Sequence, residues 1–294
     1  MFDGVLNILK PPGMTSSNVV QDVRRALSIK RVGHAGTLDP GACGVLPILV
    51  GKATRLFDYL VDKDKEYIAE FTFGIETDTL DSYGTVTAKK ECNVSLFELE
   101  RAKARFIGEI YQLAPMYSAV NVDGERLYKA ARKGIVVERE PRKAIIHYID
   151  ILRQTDRNRF LLRIGCSRGT YIRTLCQDIA HALNTYGYIS FLERTQSGDF
   201  TIESAISIEE LNEAVSSNEL DKHITRVDEA LSYLGKIKLK NNERAFRLLI
   251  NGASIPYNAK EHKSVRLVYY NDIFIGIGEI ASGELRIKTM FFEE

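Results

Sequence analysis

The sequence predicts an α/β fold of the α+β type: a mixed, largely antiparallel sheet with flanking helices, followed by a small β-rich C-terminal domain. Up to about Leu234, segments of period 2 and period 3.6 mix without regular alternation, which fits layers packed on an antiparallel sheet. Beyond Leu234-Gly235 the chain turns to short apolar runs separated by turn pairs. With 294 residues, 45% hydrophobic and 27% charged, there is enough chain for one large core and a small appended unit. Domains are expected at 1–235 and 236–294.

Each element has a local reason. Gly4 to Leu9 reads as a buried strand ending at Lys10-Pro11-Pro12-Gly13, and Ser17 is placed to cap a helix whose apolar face carries Val19, Val20, Val23 and Leu27. Val45 to Val50 reads as a strand and Lys52 to Val61 as a helix. Lys65 to Gly74 alternates, with Tyr67, Ala69, Phe71 and Phe73 on one side, as a half-buried strand does. Ser95-Leu96-Phe97-Glu98 is a capping box opening a helix to about Phe106. A short helix is expected before Gly134, then strands to Cys166. Gly169 opens a helix with Ile172, Leu175, Ile179 and Leu183 at helical spacing, and Gly187 to Thr195 reads as another strand. In the tail, Val265 to Tyr270, Ile273 to Ile280 and Leu285 to Ile287 read as strands joined by Asn271-Asp272 and Ser282-Gly283.

Several function classes are disfavoured. No apolar run approaches the ~20 residues of a membrane helix, and the start lacks a signal-peptide pattern, so a cytoplasmic protein is expected. Cysteines 43, 92, 166 and 176 and the five histidines are scattered without metal-ligand spacing, so no metal is expected. Gly44 to Ala53 imitates a phosphate-binding loop, but its glycine spacing is wrong and Ala53 replaces the magnesium-holding hydroxyl. Gly276 to Ala281 imitates a dinucleotide fingerprint inside a strand, with no helix N-terminus to receive a pyrophosphate.

The net charge of +1 conceals an asymmetry. From Arg101 to Arg173 there are 16 Lys/Arg against 7 Asp/Glu, and from Thr174 to Lys236 there are 4 against 11. Segregated positive charge suits a polyanion. Arg126, Tyr128, Lys129, Arg132 and Lys133 interleave an aromatic ring with cations, a pattern suited to unstacked bases and phosphates. The most informative stretch is Gly33 to Pro40. It sets His34 and Asp39 five positions apart in a loop too rich in Gly and Pro to be helix or strand. A carboxylate held in a rigid loop is a candidate catalytic group, although Asp before Pro also simply starts turns.

Motifs carry the reading further. Gly4 to Gly13 and His34 to Pro47 occur in order with Lys65-Glu66-Tyr67, Thr77-Asp78-Thr79, Gln112 to Ala119, Ser167 to Arg173 and Leu192 to Gly198. Together these blocks resemble the TruB family of bacterial tRNA pseudouridine-55 synthases, over the whole first domain. The tail, with Phe274 to Ile280, is similar to a PUA-type RNA-binding domain. Ala114 and Asn121 depart from the family's usual proline and lysine.

The resemblance implies an isomerisation without metal or organic cofactor, in which Asp39 acts on a uridine extruded from its stack. It implies that Arg173 orients and ionises Asp39, and that Tyr67 lies against the uracil. Tyr171 and Leu192 line the pocket, and His34 contacts the flipped nucleotide or fills its place. It also implies the T arm of tRNA as partner, gripped by a basic insertion at about 123–143, with no protein partner required and a monomer sufficient. Two other readings remain open at this point: a dyskerin-like synthase that needs a guide RNA, and a non-catalytic tRNA-binding or tRNA-folding protein.

Overall fold

The computed structural model describes residues 3–118, 121–122, 125–135, 137–258 and 263–293. Its centre is a ten-stranded sheet. The strands run in the order Ile224–Arg226, Gly4–Lys10, Cys43–Val50, Gly187–Ser197, Lys65–Phe73, Arg159–Cys166, Arg142–Asp156 and Gly108–Gln112. Val32–His34 adds to Cys43–Val50, and Phe200–Thr201 to Gly187–Ser197. Among the described residues every strand pairing in this sheet is antiparallel except one. Glu193 and Arg194 run parallel to Cys43 and Gly44. That two-rung seam requires a glycine, because a Cβ at Gly44 would lie 2.2 Å from the Arg194 carbonyl oxygen, and its φ is +103°.

Helices Ser16–Leu27, Leu96–Lys103, Ile172–Ala182 and Ile208–Ser216 supply side chains to a core on one face of the sheet, with Val19, Val23, Leu99, Leu175 and Leu211 all buried there. Strand alternation sends Val5, Val45 and Leu49 to the other face. There they meet Leu267, Tyr269 and Ile277 of a second, five-stranded sheet. That sheet begins at Lys236 and runs Lys236–Leu239, Lys263–Tyr270, Ile273–Ala281, Glu284–Met290 and Ile255–Pro256. Its two hairpin turns have positive φ at both central residues, 44° and 68° at Asn271-Asp272 and 52° and 79° at Ser282-Gly283. These values match the turn whose twist suits antiparallel strands. The end of the chain is tied back, with Lys52 Nζ donating to the Phe291 carbonyl at 3.1 Å and Arg55 Nη1 to the Met290 carbonyl at 2.6 Å.

Two local expectations need correcting. The first helix is capped by Thr15, not Ser17: the Thr15 side chain accepts from Asn18 N at 3.1 Å while still in extended backbone. Ser16 is consequently helical and buried, and its hydroxyl serves another segment described below. The stretch expected as one helix over Lys52 to Val61 divides into a 3₁₀ turn, Gly51–Leu56, and a short α-helix, Phe57–Val61. The capping box at Ser95 and Glu98 forms as expected. Within the basic stretch, Leu127–Arg132 is helical with Leu127 and Ala130 buried. The side chains of Arg126, Tyr128, Lys129 and Arg132 lie outside the described residues, as do 123–124 and 136. Among the described residues no helix is long and apolar enough to cross a membrane.

Candidate active site

The Asp39 loop is held from three directions. The strand Val32–His34 delivers it, with Ala35 N donating to the Pro47 carbonyl at 2.9 Å as the chain leaves the sheet. From the first helix, the Ser16 hydroxyl donates to the Leu38 carbonyl at 3.1 Å and accepts from Leu38 N at 2.9 Å. From below, Lys10 Nζ donates to the carbonyls of Pro11 at 2.9 Å, Met14 at 2.5 Å and Pro40 at 3.2 Å. Lys10 is wholly buried. Burial brings its ammonium down to about 8, against the pull of Cys43 and Asp39. The loop that carries Asp39 is thus fixed through its backbone by three segments.

Arg173 meets Asp39 with a two-pronged pair, Nε to Oδ2 at 2.9 Å and Nη2 to Oδ1 at 3.1 Å. The guanidinium also donates to the carbonyls of Thr79 and Tyr117, both at 2.9 Å, and lies 3.9 Å from Asp81 Oδ2. Its fixed fork suits that arrangement. Arg173 lies in the first turn of helix Ile172–Ala182, where the helix dipole disfavours a cation, so the two carboxylates offset an unfavourable placement. Burial raises the Asp39 carboxyl above the ordinary range; Arg173 opposes that shift and Asp81 adds to it. Its side chain keeps 35% of its surface accessible.

Asp39, Tyr67, Tyr171, Arg173 and Leu192 all line one cavity of about 380 Å³. Tyr67 comes from the strand Lys65–Phe73, where the alternation expected from the sequence holds, and it is 9% exposed. Burial raises its phenol, and Arg194 counters as both charge and hydrogen-bond partner. Tyr171 is the residue before the helix and is clamped by Gln112, whose Oε1 accepts from Tyr171 N at 3.0 Å and whose Nε2 donates to Tyr171 O at 3.2 Å. Leu192 reaches the rim just after a β-bulge between Ile189 and Phe191, which re-aims the strand. His34 sits at the end of its strand and does not line the cavity. Its imidazole is pushed towards the neutral form by burial and by Arg194.

Two further lining residues, Lys65 and Arg194, fall inside quoted motifs but were given no role in the sequence reading. Arg194 is 1% exposed and donates to the carbonyls of Val45 at 2.8 Å and Gly36 at 3.1 Å. Lys65 is 7% exposed, donates to the Val61 and Lys63 carbonyls, and is brought to about 8 by burial and then by Arg194. Among the described residues neither forms an ion pair. The two buried cations give this part of the cavity wall a positive character beside Asp39. Their signal in the sequence was a charged residue at a position the strand pattern buries. No group of three His, Cys, Asp or Glu side chains among the described residues is arranged to hold a metal ion.

Comparison with known proteins fits this geometry. The model of the TruB family pseudouridylate synthase N-terminal domain matches residues 24–172, and that of the tRNA pseudouridylate synthase B C-terminal domain matches 173–232. The chain belongs to the TruB family. The two TruB models meet between Ile172 and Arg173, so each contributes one partner of the Asp39–Arg173 pair, while the ten-stranded sheet runs on past that boundary to Arg226. The chain is 42% identical to the tRNA pseudouridine synthase B of Caldanaerobacter subterraneus subsp. tengcongensis, over 98% of this chain and 99% of the relative. It is 40% identical to that of Alkaliphilus oremlandii over the full length of both. Among solved structures, a chain of the archaeal box H/ACA sRNP Nop10–Cbf5 complex superposes with a TM-score of 0.74 at 26% identity, covering 98% of this chain and 86% of that one.

Proposed function

We propose that this protein converts uridine-55 in the T loop of tRNA to pseudouridine, acting alone and without guide RNA, with Asp39 as the reacting carboxylate. The observation that carries the reading is the Asp39–Arg173 pair at 2.9 and 3.1 Å on the wall of a cavity lined by Tyr67, Tyr171 and Leu192. The reaction breaks the N1–C1′ bond of the nucleoside and forms a C5–C1′ bond. One proton leaves C5 and one arrives at N1, so no electrons are gained or lost. An ionised carboxylate beside C1′ serves by attacking carbon or by taking a sugar proton. Arg173 favours the ionised form that burial resists. In this reading Tyr67, on the same cavity wall, lies against the uracil with its hydroxyl near C5, and Arg194 hydrogen-bonds that hydroxyl.

The target must leave its stack to enter, because a base inside a helix is out of reach. The cavity is within the usual size of small-molecule sites. The division at 1–235 and 236–294 goes with this reading, the second part acting as a PUA-like RNA-binding unit docked on the first. Two features support the guide-free version over a dyskerin-like one. Full-length identity of about 40% is to proteins called tRNA pseudouridine synthase B, against 26% to the box H/ACA chain. A protein that only binds or folds tRNA has no use for a partly accessible carboxylate paired with a buried arginine on a cavity wall.

Purified protein incubated with an unmodified tRNA transcript should yield pseudouridine at position 55 with no other RNA present. Asp39→Asn should bind the same transcript and yield none. Substantial turnover by that variant would falsify the assignment of Asp39.

A further inference from the structure

Beside the reaction cavity lies a smaller recess of about 20 Å³ that shares Asp39, Arg173 and Leu192 with it and whose further lining includes Asp81, Tyr83 and Phe191. Two aromatic rings stand open at its rim, Tyr83 at 64% exposure and Phe191 at 42%. The Tyr83 ring is held in place. A Cβ added at Gly41 would lie 2.3 Å from Tyr83 Cε2, so the ring lies against the backbone of the loop that carries Asp39. Tyr83 N donates to Asp81 Oδ1 at 2.9 Å, which ties the ring's own turn to the Arg173 network. An ordered aromatic face at the lip of a reaction site is a stacking surface.

We propose that Tyr83 is the platform on which the nucleobase next to the target uridine stacks, with Phe191 as the opposite rim of the same recess. The inference rests on the reading that the cavity receives an extruded uridine. A strand whose target nucleotide enters the cavity must carry its neighbour over the adjoining rim. The recess is far too small to swallow a base, so the neighbour lies across its mouth. Charge decides which part of the nucleotide sits there: Asp39 and Asp81 face the recess with Arg173 alone between them, a setting that repels phosphate and tolerates an uncharged ring. Stacking of this kind accepts any base, so Tyr83 contributes affinity and placement rather than sequence choice.

The test uses T-arm stem-loops carrying 2-aminopurine on the 5′ or the 3′ side of the target, bound to protein in the Asp39→Asn background. One of the two probes should be quenched on binding. Adding Tyr83→Ala should restore its fluorescence and weaken binding roughly 5- to 20-fold, whereas Tyr83→Phe should behave as the parent. Unchanged thermal unfolding of both variants keeps a folding defect apart from a lost contact. With Asp39 restored, Tyr83→Ala should raise KM more than it lowers kcat. Binding by Tyr83→Ala within about two-fold of the parent, or bright probes at both positions, overturns the proposal. Pseudouridine formation by the unaltered protein is scored in parallel. Its absence overturns the reaction itself, and its presence with unchanged Tyr83→Ala binding overturns the role of Tyr83 alone.

Discussion

In the C-terminal sheet, Leu267, Ile277 and Leu285 are buried, alternation fits the strands, and both hairpin turns use residues that tolerate positive φ. In the reaction cavity, a lysine opens a strand, an arginine occupies the first turn of a helix, a second arginine is sealed inside the sheet, and all three are under 8% exposed. The first region agrees with itself at every level, which is how a stable fold is specified. The second departs from local rules, and its two arginines are held by bonds between segments far apart in sequence. The contrast marks the wall of the cavity that Asp39 lines, where buried cations replace the apolar packing of the C-terminal sheet.

The strongest way to break that contrast is to remove its keystone. Arg173→Met leaves Asp39 and Asp81 without their shared cation, and turnover should fall by at least about 10³, with Arg173→Lys in between because it keeps charge but loses the fork. Single-turnover rates on a tRNA transcript measure this. Retention of near-parent rates by Arg173→Met would mean that the pair is ornamental.

A middle-sized effect comes from the raised Asp39 carboxyl. Under the proposed role of Asp39 turnover needs the ionised form, so the acid limb of the rate profile should sit above the ordinary carboxylate range and move higher still in Arg173→Lys. Stability follows with the opposite preference. A folded-state value raised above the unfolded one means that burial favours the protonated form, so its contribution is fully present at low pH and lost as pH rises through the folded value. Asp39→Asn should therefore be more stable than the parent at neutral pH, and the gap should close as pH falls towards 3.8. Urea titrations across pH read this directly, and a gap independent of pH would contradict it.

The smallest expected effect lies in the other region. Gly283 has φ +79° with open space around its missing side chain, so Gly283→Val should cost only the backbone penalty, roughly 1–2 kcal/mol, and leave the reaction centre untouched. Calorimetry and a pseudouridine assay on an isolated T arm separate the two outcomes. Loss of activity there would show that the regions are less independent than their packing indicates.

The same contrast explains what could be read in advance. The hairpin turns, the Ser95 capping box and the alternation around Tyr67 are local patterns, and each forms as expected. The helix at Lys52 failed as a single element because Gly51, at φ +60°, starts a tighter turn. Asp39, Tyr67, Tyr171, Arg173 and Leu192 were legible through motif resemblance, and they share a cavity. Lys10, Lys65 and Arg194 were not singled out because their partners are backbone carbonyls, and a carbonyl leaves no trace in residue identity.

The two-rung parallel seam has a consequence for biosynthesis. Val45 and Arg194, joined across it, are 149 positions apart, so most of the chain must be made before the seam can close. Until then the aspartate loop lacks its far wall, and a chain terminated before Arg173 lacks the cation that pairs with Asp39.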